Sequence, residues 1–220
     1  MSLLDKEKYF NGTENEPENV LFLREIKDLR KKHLKKPSLC KSAFLIIDMQ
    51  NFFFNRKSHA FIPSAPFIVD RVIRLRERCK ELNVPVIYTR HVNSEKNAGQ
   101  MIKWWRDILK EEDKASMIID ELSDISGDVI IKSQYDAFYG TGLEEVLRER
   151  NISQIIISGV MTHLCCETTA REAFVRGFDV FFGIDITATY NRVFHISALR
   201  NLSHGFAVPL TYMELLQALK

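Results

Sequence analysis

The chain has 220 residues, 45% of them hydrophobic and 27% charged, with 31 basic side chains against 29 acidic ones. That length suits one α/β domain able to bury most of its apolar surface. A net charge of +2 is far from the cationic excess that grips nucleic acid through its phosphates, and no apolar stretch reaches membrane-spanning length.

The opening residues, MSLLDKEKYF, lack the apolar core of a secretion signal. A cytoplasmic protein is expected, with Cys40, Cys79, Cys165 and Cys166 as reduced thiols rather than a disulfide framework. There is no CxxC pair to suggest a zinc knuckle or a thioredoxin-type site, and no GxGxxG follows the first apolar run. No cofactor, nucleic acid or membrane partner is expected.

The basic run 24–36 carries Leu21, Ile26, Leu29 and Leu34 near helical spacing, which predicts a surface helix with a solvated cationic face. Residues 43–48 (AFLIID) form a continuous apolar run closing on a carboxylate, the mark of a strand buried on both faces. Val72, Leu75, Cys79 and Leu82 predict a helix over 67–82, and 85–91 (PVIYTRH) the next strand. Residues 93–122 are less regular and read as a helical insertion containing Trp104 and Trp105.

A third strand is expected at 128–132 (DVIIK), then a helix opened by a Thr141–Glu144 capping box. A fourth strand at 154–159 leads into a helix from about Thr162 that stops at Gly177. Residues 179–185 (DVFFGID) form the fifth strand, with a helix from about Val193 to Gly205 after it. A sixth, edge strand at 206–209 precedes a short helix capped by Thr211 and Glu214. Alternating strands and helices predict a three-layer, doubly wound, mostly parallel six-stranded sheet of Rossmann-like type.

Ligands of such sheets sit outside the carboxyl ends of the strands. The residues ending the predicted strands are Asp48, His91, Lys132, the turn from Gly159 to Cys166, and Asp185. Asp48 alone reads as a capping or ion-paired aspartate, Lys132 as a lysine at a strand exit, and Cys165 as a small hydrophobe. Brought into one crevice, the three types supply what acyl transfer without histidine needs. A thiolate is the nucleophile, and a helix N-terminus with a nearby cation would lower its pKa. Asp48 can take the thiol proton and return it to a leaving nitrogen, while Lys132 holds the carboxylate and offsets negative charge.

The blocks AFLIIDMQNFF, IIKSQYDAFYGTGL and IISGVMTHLCCETTAREAF, in that order, make the chain similar to the isochorismatase-like cysteine hydrolases. That superfamily includes nicotinamidase, N-carbamoylsarcosine amidase, ureido and carbamoyl hydrolases, and isochorismatase. The resemblance runs from residue 43 onward, which divides the chain into an N-terminal helical arm (1–42) and a hydrolase domain (43–220). It implies a catalytic trio of Asp48, Lys132 and Cys165, a cis peptide between Val160 and Met161, and an oxyanion hole from the backbone amides of Met161 and Cys165. It also implies a homodimer or homotetramer.

The chain departs from the family pattern in three places. Phe52 stands where an acidic residue is common, and Ser133 stands where a proline often follows the lysine. The Asp-x-His metal element of nicotinamidases is missing after the first block, where only His59 follows, so no metal is expected and nicotinamidase activity is disfavoured.

Phe53, His91, Phe138 and Thr162 are expected to line the substrate pocket, with Tyr135 and Tyr139 as further aromatic candidates. Trp104 and Trp105 could close it, and Arg90 or Arg106 could hold a substrate carboxylate. The expected partner is a small-molecule amide, urea or carbamoyl compound, cleaved at C–N through a thioester. Two alternatives stand beside it: vinyl-ether hydrolysis using Asp48 without the thiol, echoed by His163, and a non-catalytic binding protein on the same fold.

Overall fold

In the computed structural model the apolar runs become six strands: β1 (Ser42–Ile47), β2 (Val86–His91), β3 (Asp128–Lys132), β4 (Gln154–Val160), β5 (Asp179–Ala188) and β6 (Val208–Leu210). The structure describes residues 5–13, 16–125 and 127–219, so residues 1–4, 14 and 15 of the expected arm lie outside the described residues. The strands form one all-parallel sheet in the order β3-β2-β1-β4-β5-β6. All of β1 and all but the first residue of β4 are buried, as their unbroken apolar runs require. The strand order reverses between β1 and β4, which makes the crevice beyond their carboxyl ends the natural binding site of the fold.

Helices α1 (Pro17–Lys31), α2 (Asn51–Phe54), α3 (Val69–Glu81), α4 (Gln100–Trp105), α5 (Leu143–Glu149), α6 (Glu167–Val175), α7 (Arg192–Gly205) and α8 (Tyr212–Ala218) flank the sheet. Helix α3 packs with α8, and α6 with α7, each pair also touching the strands. Among the described residues no helix is long and apolar enough to cross a membrane. The expected faces of α3 and α8 are present: Val72, Leu75 and Cys79 are fully buried, and Thr211 with Glu214 makes a complete capping box.

Four local expectations are corrected. Helix α1 buries Phe22 and Ile26, while Leu21 is exposed and Leu34 lies beyond the helix end. Thr141 and Glu144 form no capping box, because α5 begins at Leu143 with Gly142 as its N-cap. Glu144 instead pairs with Arg176, and the Thr141 hydroxyl donates to the Ala137 carbonyl. The predicted helix from Thr162 opens as a five-residue π turn, Thr162–Cys166, before α6 begins. Asp185 does not end a strand, since β5 continues to Ala188 with its register against β4 shifted after Ile157.

The N-terminal arm is part of the core. Tyr9, Phe10, Phe22 and Ile26 belong to the same buried apolar cluster as β1 and β4. A sealed ion-pair network fastens the arm further. Arg71 of α3 contacts Glu16 at 3.1 Å and Asp185 at 3.7 Å, and Asn19 of α1 donates to Asp185 at 2.7 Å.

Candidate active site

The first predicted residue sits immediately after β1. Asp48 has φ of 49°, in the left-handed region that aspartate enters more readily than most side chains. This turns its carboxylate back over the sheet edge, where it is fully buried. The Thr89 hydroxyl of β2 receives the Asp48 N–H at 3.1 Å and donates to Oδ1 at 2.6 Å, fixing the carboxylate's orientation. Gln50 ties the same turn to β2, donating to the His91 carbonyl at 2.9 Å and accepting the His91 N–H at 2.8 Å. Thr89 and Gln50 were not singled out in the sequence, although Gln50 lies inside the first motif block.

Lys132 ends β3, two strands away from β1, opposite His91 in register. Its stem crosses the end of β2 and its ammonium meets Asp48 Oδ2 at 2.7 Å, with a second bond to the Gln134 carbonyl at 2.9 Å. Far from being an exposed strand-exit lysine, it is 1% exposed. Burial works against its charge, but the Asp48 carboxylate and the Cys165 sulfur outweigh it and hold its pKa above the ordinary lysine value.

Cys165 lies in the π turn after β4, buried and on the pocket wall, with its sulfur near enough to Asp48 and Lys132 for both to act on its ionisation. A π turn shifts one residue out of the regular helical ladder, a feature that recurs at functional sites. The three predicted side chains therefore lie together, with Cys165 on the cleft wall and the Asp48–Lys132 pair buried beside it.

One expectation about the thiol is corrected. Burial pushes it up to about 12; the Lys132 ammonium pulls it down, and the adjacent Asp48 carboxylate pushes it up. In the unliganded protein at neutral pH it is a protonated thiol beside a carboxylate, not a preformed thiolate. The neighbouring Cys166 is fully buried, with its sulfur 3.9 Å from the Ser158 carbonyl, and burial holds its pKa well above the ordinary value.

The Val160–Met161 peptide is cis, as the resemblance implied. Met161 and Cys165 both line the cleft, which opens toward solvent. Phe53 and His91 line it as expected, joined by Tyr135, Trp105 and Tyr190. Trp105 donates its indole N–H to the Tyr135 hydroxyl at 2.6 Å, bracing two aromatic walls. Trp104, the next residue round the helix, is 77% exposed and takes no part.

Other predicted pocket residues point elsewhere. Phe138 lies three positions beyond Tyr135 on the opposite side of the turn, where it stacks on Phe178 at 5.9 Å beneath Arg176. Tyr139 is exposed. Thr162 is fully buried, with its hydroxyl 3.1 Å from His195 Nδ1 instead of in the cleft. The Arg90 guanidinium is occupied by the Ser116 carbonyl at 2.8 Å and by Glu111, and Arg106 is exposed beyond α4.

The two histidines of the cleft have protein partners. His59 pairs with Asp107 at 2.8 Å on the rim. Asn93 donates its amide to His91 Nε2 at 3.2 Å, which leaves the ring proton on Nδ1. Burial first, and the Lys132 charge second, push His91 down to about 4, so its imidazole is neutral at neutral pH. Among the described residues no group of three or more His, Cys, Asp or Glu is placed to hold a metal ion, so the donor set does not fit a nicotinamidase-type metal centre.

With this arrangement defined, similarity to known proteins becomes informative. Residues 42–214 match the family profile described as the isochorismatase domain. The chain belongs to the isochorismatase family. It is 40% identical over 171 residues to Nicotinamidase 3 of Arabidopsis thaliana, covering 76% of this chain and 82% of that one. It is 30% identical over 181 residues to Enterobactin synthase component B of Escherichia coli K12, covering 81% of this chain but only 63% of that relative. Among solved structures, a cysteine hydrolase from Pseudomonas syringae pv. phaseolicola superposes with a TM-score of 0.80 at 26% identity, covering 84% of this chain and 95% of the other. Through its family, this isochorismatase-family chain is a hydrolase.

Proposed function

We propose that this hydrolase cleaves the C–N bond of a small, flat amide through a thioester on Cys165. The observation that carries the reading is the Cys165 sulfur on the wall of an aromatic cleft, beside the buried Asp48–Lys132 ion pair. Asp48 removes the thiol proton as sulfur attacks the amide carbonyl, and the backbone amides of Met161 and Cys165 are assigned to the resulting oxyanion. The C–N bond breaks as Asp48 gives the proton to the leaving nitrogen. Water then attacks the thioester with Asp48 again as base, releasing a carboxylic acid and restoring the thiol. Lys132 stays protonated throughout; it orients Asp48 and balances the charge that develops on sulfur.

The substrate class follows from the walls. Phe53, Trp105 and Tyr135 suit a planar ring better than an aliphatic chain. The 40% identity to a protein named nicotinamidase supports the choice of primary aromatic carboxamides, nicotinamide first, over ureido and carbamoyl compounds. The missing Asp-x-His element argued the other way, and substrate assay decides between them. Ammonia release from a panel of aromatic carboxamides, ureides and N-carbamoyl amino acids, with Cys165→Ala as control, tests the proposal. Turnover of an aromatic amide that vanishes in the variant supports it; absence of release from every member rejects it.

Vinyl-ether hydrolysis is the second reading, supported by 31% identity over 169 residues to Isochorismatase of Bacillus subtilis. That chemistry would survive Cys165→Ala, because the thiol has no part in it.

A further inference from the structure

Behind the π turn that carries Cys165 lies a hydrogen-bonded cluster that none of the steps above uses. At its centre is His195 of α7, fully buried against Tyr9, Phe10 and Phe22. Its Nε2 faces the Ile184 carbonyl at 3.0 Å, an acceptor only, so Nε2 carries the proton and Nδ1 is the acceptor. Two hydroxyls sit beside that nitrogen, Tyr9 at 3.1 Å and Thr162 at 3.1 Å, and share its single lone pair as donors. The Tyr9 oxygen in turn receives the Thr189 N–H at 2.9 Å. Thr189 Oγ1 meets His163 Nδ1 at 2.6 Å, and the His163 ring stacks on Phe194 at 4.5 Å.

The phenol of one N-terminal residue therefore reaches the first two residues of the π turn by two routes, Tyr9–His195–Thr162 and Tyr9–Thr189–His163. Thr162 adjoins Met161, and Cys165 lies three residues further along the same turn. The arm is itself held on both sides of Tyr9. Ser64 Oγ receives the Tyr9 N–H at 2.8 Å, the Glu7 N–H donates to the Tyr190 carbonyl at 2.9 Å, and Asn191 donates to the Asp5 carbonyl at 3.0 Å. Tyr190, caught by these contacts, is a wall of the substrate cleft.

We infer that the N-terminal segment around Tyr9 is a clamp on the nucleophile turn, and that Tyr9 and His195 are positioning residues for the reaction proposed above. A buried, fully satisfied network of this kind permits one arrangement of its members, because losing any partner strands a polar group in the core. Burial also pushes His195 down to about 3, so the clamp keeps its single neutral state throughout the physiological range. An acyl-transfer site depends on sulfur and oxyanion donors being held to a fraction of an ångström. The sequence placed residues 1–42 outside the hydrolase domain; the clamp makes part of that arm a working element of the site.

The test compares Tyr9→Phe, Thr162→Val and the double variant with wild type on a turned-over amide. Each single change is expected to lower kcat about tenfold with KM nearly unchanged, since neither side chain enters the cleft. Both act through one histidine, so the double variant should fall little below the worse single. Ile26→Ala serves as a stability control: it opens a cavity in the arm, lowers Tm, and should leave kcat at the wild-type value. Wild-type kcat in Tyr9→Phe, multiplicative losses in the double variant, or an equal loss in Ile26→Ala would each overturn the clamp. A substrate-free readout separates this inference from the proposed chemistry. The rate of Cys165 carbamidomethylation at about pH 9, located by peptide mapping, should change several-fold in Tyr9→Phe and not in Ile26→Ala. Were wild type to turn over no amide, the functional proposal would fail while an altered alkylation rate still upheld the clamp; an unaltered rate would sink the clamp by itself.

Discussion

Two buried aspartates, Asp48 and Asp185, stood together among the candidates taken from predicted strand ends, and the folded protein treats them in opposite ways. Both are fully buried and both face a cation. Asp185 receives the Tyr212 N–H at 2.7 Å on one oxygen and the Asn19 amide at 2.7 Å on the other, with Arg71 alongside. Asp48 has a hydroxyl on one oxygen and an ammonium on the other, and it lies beside a thiol on the wall of an open cleft. Burial and an ion pair are common to both. What separates a working carboxylate from a fastening one is a neighbour with a proton to give and space for a substrate beside it.

Substituting the two residues sharpens that contrast most. Asp48→Asn keeps the shape but removes the base, so kcat should fall by about 10⁴-fold in a steady-state ammonia assay. Asp185→Ala leaves the Tyr212 N–H and the Asn19 amide without their acceptor in the core and takes one of two carboxylates from Arg71, and should cost about 3 kcal/mol in urea unfolding while kcat stays within a few-fold of wild type. A reversed pattern would mean that the roles are exchanged.

Acid acts on both regions through three histidines. Burial pushes His91 and His163 down to about 4 and His195 to about 3, against an ordinary 6.5. Below pH 6.5 the unfolded chain binds protons that the folded chain refuses, so stability is complete above that pH and falls on acidification toward pH 4. The slope should reach about 1.4 kcal/mol per pH unit for each histidine, read from urea midpoints across that range. Glutamine at 195 should remove one such increment. The smallest effect is expected at the cleft wall, where Trp105→Phe deletes the bond to Tyr135. That loss is worth about 1 kcal/mol and should appear as a several-fold rise in KM with kcat little changed.

The sheet could be read from the sequence because a strand buried on both faces is built on a continuous apolar run, and β1, β4 and β5 carry AFLII, III and VFF. Asp48, Lys132 and Cys165 could be read because a polar residue at the end of such a run has few harmless explanations, and three family motifs carried them in order. The cleft wall was less legible. Tyr135, Phe138 and Tyr139 are alike in composition, and only the path of the turn sends the first to Trp105, the second to Phe178 and the third to solvent. Thr162 has the right neighbours for a pocket residue, yet its partner His195 lies 33 positions away on another helix. Tyr9 was invisible for the same reason, since its contacts are 55, 180 and 186 positions distant. The thiol's pKa was misjudged because a helix terminus and a lysine were weighed without the burial and the carboxylate that oppose them.

The central claim is that the Cys165 sulfur becomes acylated during turnover. Acid quenching of the enzyme within the first turnovers of an amide substrate, followed by peptide mass spectrometry, measures this directly. The account predicts the acyl mass on the peptide bearing Cys165, absent after Cys165→Ala together with all turnover. Undiminished hydrolysis by that variant, with no acylated peptide from wild type, would contradict it.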